Sequence, residues 1–447
     1  MAPLPRRPPP PPATAATGLR VLRKPCKRTS TSSARQRFRD EHDGCPLDDE
    51  VLLLVMSLLV PDIADLVRCA ATCRRWRRLV SSEAALICHR ALAPTSTSNR
   101  CIRTLALGFF FTLIGTATPD HHQPPRFVPL RPSASSRRRV MLPCLADLVD
   151  GEGLPILQDA SSRVVASRNG RLVVEIRRTK SLILKLCVCN PITGEVDVLP
   201  HLRGNDRPPW LYACAVLTVD DLQYLSFGGD DDDNTSSYRL VLIYNRRGFT
   251  AARCFSSGTG RWGPEARVDG TSVGRMRQHT GIVVHRGVVV WPRLKLALLT
   301  LPAAGVVKGM STHRVYGTEG GLLGLLPDGR LCWAEVSWDN RIRVFFTHGD
   351  GDVMMSLLET PYRGERWQRE RSFVIPFSCS WPMKKAVKLR WFCEKSGLIL
   401  FTADKRCYTL NLETMEVDKV FGVHGDVDIM CGYELDRVAF FSSLAAT

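Results

Sequence analysis

The sequence predicts an α+β multidomain chain in which a small all-α bundle precedes a long all-β, propeller-like region. Three observations carry that prediction. Residues 45–95 hold apolar side chains at helical spacing between caps and a proline bend, with no strand pattern among them. From about Val164 onward short β runs alternate with turn dipeptides, and no long helix is expected after residue 160. A seven-residue pattern recurs between those runs where the last hairpin of a propeller blade would fall.

The first 39 residues contain eight prolines and no acidic side chain before Asp40, a composition that cannot bury enough apolar surface to fold alone. Residues 1–44 are therefore expected to be a disordered Pro/Arg-rich tail, with Pro8–Pro12 as stiff polyproline II. An organellar transit peptide is the alternative reading of that composition, whereas the apolar block of a secretory signal is missing from it. Residues 45–95 form the helical domain, 96–160 a linker with the first strands, and 161–447 the β domain.

Within the helical domain, Asp48 or Asp49 caps a first helix whose body, Val51–Leu59, carries eight apolar side chains and Ser57 and stops before Pro61. A second helix covers about Ile63–Ala71. Thr72 caps a third, Cys73–Val80, with Cys73, Trp76 and Val80 on one face. Ser82 opens a fourth that runs through Leu92.

In the β region, Asn169-Gly170 separates Val164–Ala166 from Leu172–Ile176, and Asp328-Gly329 separates Leu322–Leu326 from Leu331–Val336. Both are strong hairpin sequences. Further runs extend from Leu182–Val188 to Val438–Phe441, on the order of twenty strands in all. Asn190–Val196 and Asn411–Val417 share N-x-x-T-x-E-V, and Ser256–Trp262 keeps the Thr and the closing bulky residue. Starts 66 and 155 residues apart fit a five- to seven-bladed propeller with loop insertions such as Gly228–Asp233. A pair of β-sandwiches is the alternative that strand number alone does not separate.

Composition removes several function classes. Net charge is +17, yet residues 1–45 hold 10 basic against 3 acidic side chains, and 46–95 balance at 6 and 6. The folded body is only mildly basic, so no nucleic-acid partner is expected. No stretch approaches the ~20 apolar residues of a membrane span, and no membrane partner is expected. The 16 cysteines, without a C-x-x-C pair, fit buried free thiols; Cys69-x3-Cys73 and Cys187-x-Cys189 lack zinc spacing. Asp230–Asp233 lacks the alternating ligands of a calcium loop. No metal, cofactor or catalytic residue is expected, because no G-x-S-x-G, H-E-x-x-H, P-loop or dinucleotide pattern occurs. Arg74, Arg75, Arg77 and Arg78 read as a solvated face around a packed Trp76.

The first helix is the most informative object. A helix apolar on every side needs burial on every side, and a block of ~50 residues is too small to enclose it. Were four of its side chains to face outward, covering them would gain ~6–12 kcal/mol gross. Association costs ~4–15 kcal/mol, so the second helix must add contacts. The inference is a partner-docking face; burial against the chain's own β domain is the alternative.

The residues that carry this also resemble a family. Cys45-Pro-Leu-Asp-Asp-Glu-Val-Leu-Leu, Asp65-Leu-Val-Arg68 and Cys73-Arg-Arg-Trp-Arg-Arg-Leu-Val80 together resemble an F-box. The opening reads Cys45-Pro46-Leu47 where the family has Leu-Pro, and Thr72 stands where it usually has Val. The resemblance implies docking on a Skp-type adaptor and, through it, on a cullin–RING ubiquitin ligase. Carried over, the adaptor contacts are Pro46, Leu47, Val51, Leu52, Val55, Leu58, Leu59, Ile63 and Leu66, while Cys73, Trp76 and Leu79 hold the bundle together. The β region more loosely resembles the associated domains of plant, notably cereal, F-box proteins. This implies a non-catalytic substrate receptor of the cytoplasm and/or nucleus that captures a target protein. Trp210, Tyr212, Trp338, Arg341, Trp367 and Trp381 are its candidate target contacts. An F-box scaffold outside the ligase and an organellar ligand-binding propeller are the alternatives.

Overall fold

A computed structural model describes residues 45–59, 63–90, 106–113, 124–130, 148–149, 153, 155–157, 162–176, 183–191, 194–208, 211–218, 221, 238–269, 283–285, 288–291, 297–300, 309–312, 321–326, 329–337, 341–348, 367–374, 387–424, 427–435 and 437–446. The expected tail at 1–44 and the insertion Gly228–Asp233 lie outside them.

Four helices open the described chain: α1 (Asp49–Leu59), α2 (Ile63–Thr72), α3 (Arg74–Ser82) and α4 (Ala84–Arg90). The helix α1 begins after Asp48, whose carbonyl accepts from Leu52 N at 3.0 Å. The cap of α3 differs from the sequence expectation. Cys73, in extended backbone, takes that place with its Sγ accepting from Trp76 N at 3.4 Å, whereas Thr72 turns its hydroxyl back to Arg68 O at 2.9 Å. A hydroxyl that bonds its own helix is not available to cap the next one.

Twenty-four strands follow among the described residues. Five sheets form in chain order: β3 (Ser162–Arg168) to β6 (Glu195–Val198), β7 (Tyr212–Thr218) to β11 (Ala266–Asp269), β12 (Val283–His285) to β15 (Gly309–Thr312), β16 (Leu322–Leu325) to β19 (Trp367–Val374), and β20 (Val387–Cys393) to β23 (Val417–His424). Each is an antiparallel meander, and in the second β10 (Arg261–Trp262) and β11 both pair with β9 (Phe249–Ser256). A sixth, three-stranded sheet pairs β24 (Val427–Glu434) with β1 (Ala106–Leu113) and β1 with β2 (Arg126–Pro129).

First strands neighbour first strands: β24 lies beside β3, β3 beside β7, β12 beside β16, β16 beside β20 and β20 beside β24. With β11 beside β15 linking the second sheet to the third, that circular order makes a β-propeller of five four- or five-stranded blades, its ring closed by the three-stranded sheet of β24, β1 and β2 as a sixth member. The apolar run Ala106–Leu113 is thus the closing strand β1. Cores lie between blades: Val188, Leu186 and Val173 of the first meet Leu240, Leu242 and Tyr244 of the second, and Ile342, Val344 and Phe346 of the fourth meet Phe401 and Leu410 of the fifth. At one seam the approach is too close for any side chain, since a Cβ on Gly324 would stand 2.1 Å from Phe392.

The recurring heptad sits where a last hairpin should. Asn190 ends β5 (Lys185–Asn190) before β6, Ser256 ends β9 before β10, and Asn411 ends β22 (Arg406–Asn411) before β23. All three turns carry the same bond, from Gly194 N to Asn190 O, Gly260 N to Ser256 O and Met415 N to Asn411 O, at 2.8–2.9 Å. The predicted Asn169-Gly170 turn joins β3 to β4 (Arg171–Ile176) with both φ positive, 46° and 76°.

One element departs from expectation. Val438–Phe441 reads as a β run but forms part of α5 (Arg437–Ser443), followed by a 3₁₀ turn, Leu444–Ala446. Four apolar residues do not separate helix from strand by periodicity. Packing decides: α5 lies against α3 and α4, with Phe441 fully buried.

Candidate functional site

The helices build one exposed apolar face. Arg75 holds the base of α1 against α3, donating from Nε to Asp49 Oδ1 at 2.8 Å and from Nη2 to Leu47 O at 2.7 Å. Arg77 Nε donates to Ala70 O at 3.3 Å, so Arg75 and Arg77 are half-buried braces, and only Arg74 and Arg78 of the four are exposed. Leu52 and Met56 turn inward at 1% exposure each. Of the eight large apolar side chains exposed among the described residues, five are Leu47, Val51, Leu54, Val55 and Leu58, with Leu58 at 74%. Their spacing places them on a single stripe of α1 and the residues leading into it.

Not every predicted contact lies on that stripe. Leu47, Val51, Val55 and Leu58 are exposed, Pro46 is exposed and Leu59 is half-buried. Leu52 and Leu66 are corrections: at 1% and 0% exposure they fill the bundle and cannot touch a partner. Ile63 lies in α2 with its side chain outside the described residues. Leu54, 54% exposed, belongs to the stripe and was missed. Cys73 caps α3, Leu79 is buried and Trp76 is half-buried.

The stripe's side chains are on average about half-covered already, so hiding all five gains ~4–7 kcal/mol gross at ~1.5–3 kcal/mol per full side chain. That roughly matches the lower part of the ~4–15 kcal/mol cost of association. A tight complex therefore needs contacts beyond this helix.

The predicted target contacts on the β domain divide similarly. Tyr212 and Trp367, at 1% and 8% exposure, are strand residues of the core, which corrects their reading as target contacts. Arg341 opens β18 (Arg341–Thr347), half-buried, with Nη1 donating to Ser372 Oγ at 3.3 Å. Trp210, Trp338 and Trp381 lie outside the described residues.

The propeller axis has its own polar cluster, at the end where the inner strands finish. Arg168 ends β3 and donates from Nε and Nη2 to Asp221, at 2.7–3.0 Å, and from Nη1 to Glu394 Oε2 at 2.6 Å. Three blades are thereby tied across the channel. Glu434 at the end of β24 accepts from Ser396 N and Oγ at 2.8 and 2.6 Å. Burial pushes both the Glu394 and Glu434 carboxyls above the ordinary carboxylate range; Arg168 pulls the first back down, and the Ser396 and Lys395 donors the second. The cavity beside them measures about 50 Å³, room for a few waters and not for an organic ligand. This cluster is a brace across the ring.

The nine buried cysteines among the described residues are all free thiols within the helical and propeller cores. Burial pushes Cys254 up to about 11 and Cys407 up to about 12, which leaves them protonated and inert at neutral pH.

Residues 49–90, the span of α1 to α4, match the F-box-like family. No curated protein matches the chain. Among solved structures, TolB from Acinetobacter baumannii is similar at 9% identity and a TM-score of 0.34, over 79% of this chain and 72% of that one. AztD from Citrobacter koseri is similar at 10% identity and a TM-score of 0.31, over 62% and 75%. The Dos1 propeller is similar at 12% identity and a TM-score of 0.29, over 62% and 64%. The chain is an F-box-like helical bundle followed by a five-bladed β-propeller.

Proposed function

We propose that this protein is a substrate-receptor subunit of a Skp–cullin–F-box ubiquitin ligase, docking a Skp-type adaptor on its helical bundle and a target protein on its propeller. The observation that carries the reading is the stripe Leu47, Val51, Leu54, Val55 and Leu58, an apolar face the chain leaves open. The chain performs no chemistry of its own. It raises the target's effective concentration beside the transferring ubiquitin, which is an entropic contribution. The cytoplasm and nucleus are the compartments in which such a ligase would use it.

The test is co-purification of the full chain with a Skp-type adaptor and a cullin. Leu54→Asp combined with Leu58→Asp places two charges on the exposed stripe without touching the buried core. Adaptor capture is expected to fall at least about tenfold while the melting temperature stays within a few degrees. Undiminished capture overturns the docking face. Retained adaptor with no cullin overturns the ligase and leaves a scaffold outside it.

A further inference from the structure

The second blade carries a charged surface that the adaptor face does not use. Its strands β8 (Tyr238–Arg246) and β9 meet in the turn Arg246–Phe249, at the end of the blade opposite the brace formed by Arg168. The segment between β6 and β7 crosses the same end, with a 3₁₀ turn at Gly204–Asp206. Hydrogen bonds hold the two together: Arg246 Nη2 donates to Asn205 O at 2.5 Å and Arg253 Nη2 to Asp206 Oδ1 at 2.5 Å.

Six guanidinium groups gather here: Arg203, Arg207, Arg246, Arg247, Arg253 and Arg267. The network's two carboxylates are already engaged, Asp206 with Arg253 and Glu265 with both Arg246 and Arg267. Arg203 and Arg247 are exposed, and no carboxylate among the described residues pairs with either. Beside them Leu211 is 44% exposed at the start of β7. It stands one residue beyond the Tyr212–Tyr244 strand pair, as Arg246 stands two beyond it on the neighbouring strand.

We infer that this end of the second blade binds an acidic, extended segment of the target protein, with an apolar side chain of that segment covering Leu211. The inference rests on the reading of the propeller as the target-binding part. Charge complementarity selects the occupant, because the six guanidinium groups outnumber by three the carboxylates of Asp206, Glu265 and Asp269, the last on the strand residue paired with Phe249. Size selects it too: four strands at ~4.8 Å make a platform of about 15–20 Å, the length of five or six extended residues at ~3.3 Å each. Arg246 is pre-positioned by the carbonyls of Asn205 and Arg207, at 2.5 and 3.4 Å, so little of its side-chain freedom is lost on binding. A nucleic acid fits less well, since its phosphate row offers no apolar group to cover Leu211.

The experiment is fluorescence anisotropy on the full chain with three labelled probes: a heptapeptide of six Glu and one Leu, the same peptide with Lys for Glu, and a single-stranded oligonucleotide. Saturable binding of the acidic peptide is expected, with none of the basic one. Arg203→Glu combined with Arg247→Glu changes two exposed residues and should weaken the acidic peptide at least about tenfold, with the melting temperature and adaptor capture unchanged. Three results would overturn the inference: no binding of the acidic peptide, equal affinity in the double variant, or tighter binding of the oligonucleotide. None of them bears on the adaptor face, whose own test is the Leu54 and Leu58 variant.

Discussion

At residue level, the turn between β21 (Leu398–Ala403) and β22 shows a backbone cost. Asp404 and Lys405 both adopt positive φ, 45° and 63°, the same arrangement that Asn169-Gly170 makes with an Asn and a glycine. A left-handed residue with a Cβ costs roughly 1–2 kcal/mol, and glycine returns about 0.5–1 kcal/mol of that as unfolded-state entropy. The Lys405 side chain is exposed, so its own packing adds little. Lys405→Gly should therefore stabilise the protein by about 0.5–1 kcal/mol, read as an upward shift of the urea midpoint at unchanged slope. Lys405→Ala, which keeps the Cβ, should not.

Elements show the same logic in their hairpins. The Asn411 side chain accepts from Glu413 N at 2.8 Å and Thr414 N at 3.3 Å, and the Thr414 hydroxyl accepts from Glu416 N at 3.4 Å. Two side chains thus satisfy three backbone donors in a turn that also places Met415 at φ 58°. Asn411→Ala leaves two of those donors without a partner and should destabilise by about 1–3 kcal/mol, whereas Asn411→Asp should retain most of the stability; chemical denaturation measures both. The turn was legible because its chemistry is local. Asn, Thr and Glu at fixed offsets specify it regardless of what packs nearby, and two full copies with a third that keeps the Thr pointed to blades. The docking helix was legible only as an object. Eight apolar residues in nine offer no contrast to tell the inward face from the outward one, and Leu52 and Leu54 were accordingly exchanged. The one polar residue is misleading, since Ser57 is 5% exposed and hides its hydroxyl on Leu53 O at 2.7 Å. Burial by a distant part of the chain leaves no trace in a local pattern.

That distant part decides the architecture of the whole molecule. A block of ~50 residues cannot shelter its own core, and this one does not try to. The ring closes through β24 and β1, so the strand that follows the helical bundle and the segment that follows the last strand leave from the same corner of the propeller. There α5 packs on α3 and α4, and the turn Leu444–Ala446 packs on α3. A seven-residue helix is too short to persist alone, so its order depends on that packing. Phe440 and Phe441, at 7% and 0% exposure, supply from the far end of the sequence apolar volume that the bundle lacks. The back of the bundle is thereby covered while the stripe on α1 stays open, which is the condition for one face to serve a partner. Phe441→Ala should cost about 3–5 kcal/mol of local stability. The loss should appear as faster hydrogen exchange in α3 and α4, with amides of the buried strands β4 and β8 keeping their protection. Equal loss of protection in helices and strands would mean instead that bundle and propeller unfold as a single cooperative unit, with α5 as the joint between them.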